Sequence, residues 1–245
     1  MRFRGQNPVY SRTQYSDSSE LSATYSGVVL KAGFLLSIIA VIALYFGSIL
    51  DFSVNPGGMI FTVIFAPIVA IIMLVLAHKN VELAGIFSFI YAVCEGVFLG
   101  FISSIFAQAV GMDIVYNALL ATFGVLFGML ILYSSGIIRI GSRFRNFMFS
   151  AVLGILFVTL LMFGMILFGG TDSHVFNSLY LTIVLVSVVV SSLYLLVDFD
   201  NITQIVSAGA GKEYEWSLAL GLVVTIVWLY IELLRLMLII SGRRK

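Results

Sequence analysis

The stretch Tyr91-Ala92-Val93-Cys94-Glu95-Gly96-Val97-Phe98-Leu99-Gly100 sets a carboxylate in the middle of an apolar run. The run belongs to a longer apolar segment, residues 84–108, and about 20 mostly apolar residues is the length of a helix that crosses a bilayer. If residue 84 lies at one membrane surface, Glu95 lies about 16 Å deep at 1.5 Å per residue, near mid-bilayer. Placing an ionised acid there costs several kcal/mol, so such residues are rare and usually functional. Glu95 therefore reads either as a structural acid, protonated or hydrogen-bonded to a neighbouring helix, or as a site for a cation or proton.

The same apolar character recurs along the chain. Seven candidate spans run over residues 28–50, 57–77, 84–108, 117–135, 147–168, 176–197 and 216–240. The chain is 61% hydrophobic and 10% charged, against roughly 25% charged in soluble domains. Its mean hydropathy is +1.12. The expected fold class is an all-α integral membrane protein, a bundle of seven transmembrane helices. Short connections make neighbouring helices antiparallel. The short alternating segments of a membrane β-barrel are missing.

Residues 1–27 are polar and contain Arg2, Arg4 and Arg12. They read as a disordered cytoplasmic tail ahead of a transmembrane domain over 28–245, with the first span as its own targeting signal. Lysine and arginine placement puts the N-terminus in the cytoplasm. The inner side then collects Arg2, Arg4, Arg12, Lys31, Lys79, Arg139, Arg143, Arg145 and Lys212. The outer loops hold Asp51, Asp113 and Asp172 with no lysine or arginine. Seven spans leave Arg243, Arg244 and Lys245 outside, against this rule; a re-entrant last segment would leave both ends inside. A net charge of +1 gives no footprint for nucleic acid. Cys94 is the single cysteine, so it reads as a packing residue.

Small residues mark close helix contacts in lipid. Gly96 with Gly100, and Gly124 with Gly128, are two such pairs. The first would turn Glu95 toward protein.

The remaining intramembrane charges sit in the last two spans. The sixth ends in Leu195-Leu196-Val197-Asp198-Phe199-Asp200-Asn201-Ile202, at the expected inner mouth. Asp198 and Asp200 are two residues apart, about 200° on a helix, so both cannot face one pore. With Asn201, Thr203 and Gln204 they offer the oxygen ligands that calcium takes, or they form a solvated helix end. In the seventh span Glu232 and Arg235 are three apart and share a face, as a structural ion pair or an internal latch whose arginine snorkels outward. Desolvation favours a neutral carboxylate and a nearby cation favours an ionised one. Sheltered acids can therefore switch within the physiological pH range and release what they hold.

Several enzymes are excluded by missing groups. The last span lacks the lysine of a retinal protein. His78 and His174 lie at opposite faces, away from any core serine. There is no phosphate loop, HExxH or CxxC. An enzyme is not expected, and no cofactor is.

Three stretches now combine: Glu95-Gly96 followed by Leu99-Gly100, Phe199-Asp200-Asn201-Ile202, and Trp216-Ser217-Leu218-Ala219-Leu220. Together with length, span number and charge placement they resemble the Bax inhibitor (TMBIM-like) superfamily, and its bacterial branch most closely. The resemblance implies two three-helix layers around a central C-terminal helix. It also implies a calcium leak that senses pH through paired aspartates joining the sixth and seventh helices near the cytosol. Asp200 matches the first aspartate by its place after Phe199. The usual places of the second are Gly221 and Thr225, so that acid is missing. Either Glu232, two turns beyond Thr225, replaces it or the paired sensor is absent; Asp200 could still hydrogen-bond Thr225.

The expectation is a pH-sensitive calcium-leak channel or transporter of the cytoplasmic membrane, gated by intramembrane carboxylates. Asp200, Asp198 and Thr225 form its sensor and gate, Asp200 and Asp198 its calcium ligands, and Glu95, Glu232 and Arg235 its intramembrane path. Its partners are lipid, calcium and protons. The alternatives are a membrane regulator that binds other membrane proteins, such as a protease, through Tyr10, Tyr15 and Tyr25, and a proton-coupled carrier of a small solute.

Overall fold

A computed structural model of the chain describes residues 22–49, 64–138, 140–167 and 174–242. Among the described residues seven α-helices follow one another: α1 Tyr25–Ile49, α2 Ala66–Lys79, α3 Ala84–Val110, α4 Asp113–Ser134, α5 Ser142–Leu167, α6 His174–Ser207 and α7 Tyr214–Gly242. A single turn of 3-10 helix, Val81–Leu83, joins α2 to α3. No strand occurs among the described residues. Six helices are long and apolar enough to cross a membrane, and α2 is shorter. Its 14 residues span about 21 Å, and the expected start of that span lies outside the described residues. So do residues 1–21, Asp51, Arg139, Asp172 and the 243–245 basic cluster.

The end of the sixth span differs most from expectation. Hydropathy stops at Val197, but α6 continues for ten more residues to Ser207. Polar side chains allow this because Ser207 and Thr203 hydroxyls donate back to carbonyls one turn earlier, and neighbouring helices cover much of the rest. Gly209 then turns the chain at φ +72°, a left-handed conformation that glycine adopts without cost.

The helices form two groups around α7. In one, α3 packs between α1 and α2; in the other, α6 packs between α4 and α5, and α7 lies between the groups against α1, α3, α4 and α6. The buried residues of α7 include Ala219, Leu220, Val223, Ile226, Leu229, Tyr230 and Leu234. These cover one half of the helix, and the other flank, with Val224, Trp228 and Ile231, is half-buried, so that no residue over 215–239 is fully exposed. The layered arrangement implied by the family resemblance is thus present.

Glycines set how closely α1 meets α3. A Cβ on Gly100 would stand 2.5 Å from the Ala43 carbonyl oxygen, and one on Gly96 2.9 Å from Ile42 Cβ. Gly124 and Gly128 behave otherwise. A Cβ on either meets nothing within 4 Å, so among the described residues no helix packs on this second glycine pair.

Candidate functional site

The N-terminal ends of α1, α3, α5 and α7 and the C-terminal ends of α2, α4 and α6 share one face of the bundle, called here the N-terminal face. A cavity of about 330 Å³ opens between α2, α6 and α7 on this side. Its walls carry His78 from α2, Tyr194, Asp198 and Asn201 from α6, and Ser217 and Thr225 from α7. Asp198 comes to line it because its neighbours on α6, Leu195, Leu196 and Phe199, are packed into the core. That packing fixes the rotation of the helix. The Asp198 side chain is 8% exposed. Thr225 lines the same cavity, its hydroxyl donating to the Gly221 carbonyl at 3.4 Å, and Asp198 Oδ2 has no partner. A buried carboxylate oxygen without a donor is costly, and native structures keep few such atoms.

Asp200 points elsewhere, as the two-residue spacing requires. It pairs with Arg145 of α5, accepts from Gln204 at 3.0 Å and from the Tyr133 hydroxyl of α4 at 3.4 Å. The expected contact of Asp200 with Thr225 is therefore not made; Thr225 faces Asp198. Nor do Asp198 and Asp200 form a joint calcium site, since their carboxylates diverge. Among the described residues no three His, Cys, Asp or Glu side chains converge as metal ligands.

The other charges lie apart from the cavity. Glu95 is buried on α3, 8% exposed, with no cation paired to it among the described residues. Glu232 of α7 accepts from Trp228 Nε1 at 3.2 Å and from Arg235 at 3.4 Å, and its Oε2 is buried without a partner. The shared-face reading of Glu232 and Arg235 holds as an ion pair. Neither Glu95, Glu232 nor Arg235 lines the cavity that holds Asp198. Glu232 also makes no contact that would let it stand in for an acid beside Asp198.

A family model described as Bax inhibitor 1 like matches residues 7–242. The chain belongs to that family. Together with its six long apolar helices, this makes it a multi-pass membrane protein. No curated protein matches the chain. In this Bax inhibitor 1 like protein the junction of the sixth and seventh helices holds an acid facing a hydroxyl, where the resemblance implied two acids. The acid is Asp198 and not the residue after Phe199.

Two ion pairs escaped the sequence reading. Arg145 and Lys31 both counted only as positive charge on the inner side. Arg145 holds Asp200, and Lys31 holds Glu215, a residue 1% exposed at the start of α7. The signal available for Lys31 was its position, three residues inside the first apolar span. A cation there needs either the headgroups or a carboxylate, and the carboxylate that answers it lies 184 residues later.

Proposed function

We propose that this protein lets calcium leak slowly across the cytoplasmic membrane, with the Asp198 cavity as the inner mouth and protonation of Asp198 as the control. The N-terminus and the N-terminal face lie in the cytoplasm in this reading, in keeping with the lysine and arginine bias, and the membrane is the bacterial inner membrane. No enzymatic step is involved.

The observation that carries the reading is the free, buried Oδ2 of Asp198 on the wall of a cavity that neutral oxygens also line. An ionised carboxylate beside Thr225, Asn201 and Ser217 attracts a divalent cation. One charge with neutral oxygens holds it weakly, which suits conduction, since an ion that binds tightly does not leave. Adding a proton removes the charge and the attraction. Flux should therefore fall as the inner pH drops.

Liposomes loaded with a calcium dye and holding the full chain test this across pH. Asp198→Asn should lower flux about tenfold, the loss of one favourable charge contact of about 1.4 kcal/mol, and should abolish its pH dependence. Flux and pH response equal to the parent would reject the reading.

A further inference from the structure

The segment leading into α1 is joined to the turn between α6 and α7. Ser22 and Gly211 form an antiparallel bridge, and the Ala23 N–H donates to the Ala210 carbonyl at 2.8 Å. Next in the chain, Thr24 donates twice to Glu215 Oε1, from its N–H at 2.8 Å and its hydroxyl at 3.0 Å. Lys31 donates to the other carboxylate oxygen while its ammonium lies 5.3 Å from the centre of the Trp216 ring. Gly27 leaves room for this carboxylate, because a Cβ there would fall on it. Both oxygens of a buried acid are thus satisfied by the entry to the first span, one by Thr24 before it and one by Lys31 in its second turn.

Glu215 sits between cavity residues. Tyr214 on one side and Ser217 and Leu218 on the other belong to the same turn of α7, and all three line the cavity. Whatever holds Glu215 therefore holds the edge of the entrance. We infer that Thr24, Lys31 and Glu215 form a latch that sets access to Asp198: closed, it pins the first turn of α7 over the entrance; released, that turn moves and opens the cavity to the N-terminal face. Glu215 and Lys31 act as positioning residues and touch no ion themselves. The inference rests on the cavity being the inner mouth proposed above, yet it is tested by access and not by flux.

The test is thiol labelling of the purified full chain in detergent, in a Cys94→Ser background. Gly221→Cys is the reporter, since Gly221 lines the cavity one turn below Ser217 and a Cβ there meets nothing within 4 Å. Ser191→Cys, fully buried on α6, reports general loosening. With the latch intact the cavity reporter should react slowly. Glu215→Gln, which leaves Lys31 unpaired, should speed it about tenfold or more, because a partly buried ammonium without its counter-charge gains hydration in the open form. Lys31→Arg, which keeps the pair, should react like the parent. If Glu215→Gln does not fold, Thr24→Val removes the hydroxyl that donates to Glu215 and accepts from the Gly27 N–H, keeps the Lys31 pair, and should still speed labelling about threefold. Equal rates in all latch variants overturn the inference, and so does equal acceleration of both reporters. Faster labelling in a protein that passes no calcium would uphold the latch while rejecting the leak.

Discussion

Helices α5 and α7 are almost equally apolar and opposite in fate. Their best spanning windows have mean hydropathies of 2.5 and 2.3, yet 6% of the first is buried inside the protein and 50% of the second. Phe149, Leu156, Phe157 and Leu160 of α5 face outward, while Leu220, Val223, Leu229 and Leu234 of α7 are fully enclosed. In water such a difference would be written in the sequence as a polar face. In a membrane it is not, because lipid tails are as apolar as leucine and no hydrophobic drive sorts one helix from the other. What distinguishes α7 is fit: side chains on every flank find partners, and the charges near its two ends, Glu215 and Glu232, are met by groups of the protein.

The comparison can be broken most directly by truncating one leucine in each helix. Leu220→Ala in α7 removes contacts that nothing refills and should cost about 2–5 kcal/mol. Leu160→Ala in α5 exchanges protein for lipid contact and should stay within about 0.5 kcal/mol. Thermal unfolding of both variants in the same detergent decides it, and equal shifts would mean that burial in the bundle confers nothing over burial in lipid.

A somewhat smaller contrast separates the two glycine pairs. Gly100→Ala drives a methyl group against the Ala43 backbone and should cost about 1–3 kcal/mol by overpacking. Gly124→Ala, with open space around it, should leave the melting temperature unchanged or slightly raised, as alanine favours helix. The smallest effect belongs to Asp200. Its pair with Arg145 is partly exposed, so Asp200→Asn should cost about 1 kcal/mol or less. It should also leave the pH response of calcium flux intact, in contrast to Asp198→Asn. A pH response lost in the Asp200 variant and kept in the Asp198 variant would reverse the assignment of the two aspartates.

That assignment shows where reading the chain reached its limit. The two-residue spacing of Asp198 and Asp200 required them to face apart, and they do. Which of them faces α7 depends on the rotation of α6, and that is set by Leu195, Leu196 and Phe199 packing into the core. The place after Phe199 favoured Asp200 by resemblance; the packing gives the cavity to Asp198. Likewise Gly96 and Gly124 carry the same motif, and only the presence of α1 beside the first makes it a contact.

Length and apolarity alone determined that this is a helical membrane protein, since a bilayer core of fixed thickness demands spans of fixed length and long continuous apolar runs satisfy their backbone hydrogen bonds there as helices. They also determined that Glu95, Asp198, Glu232 and Arg235 would need shelter, because charge in hydrocarbon is costly. Tertiary structure decided which helix lies at the centre, which aspartate meets the cavity and which distant residue answers Lys31. These choices depend on shape and helix rotation between segments far apart in the chain, and hydropathy, a property of each segment by itself, carries no information about them.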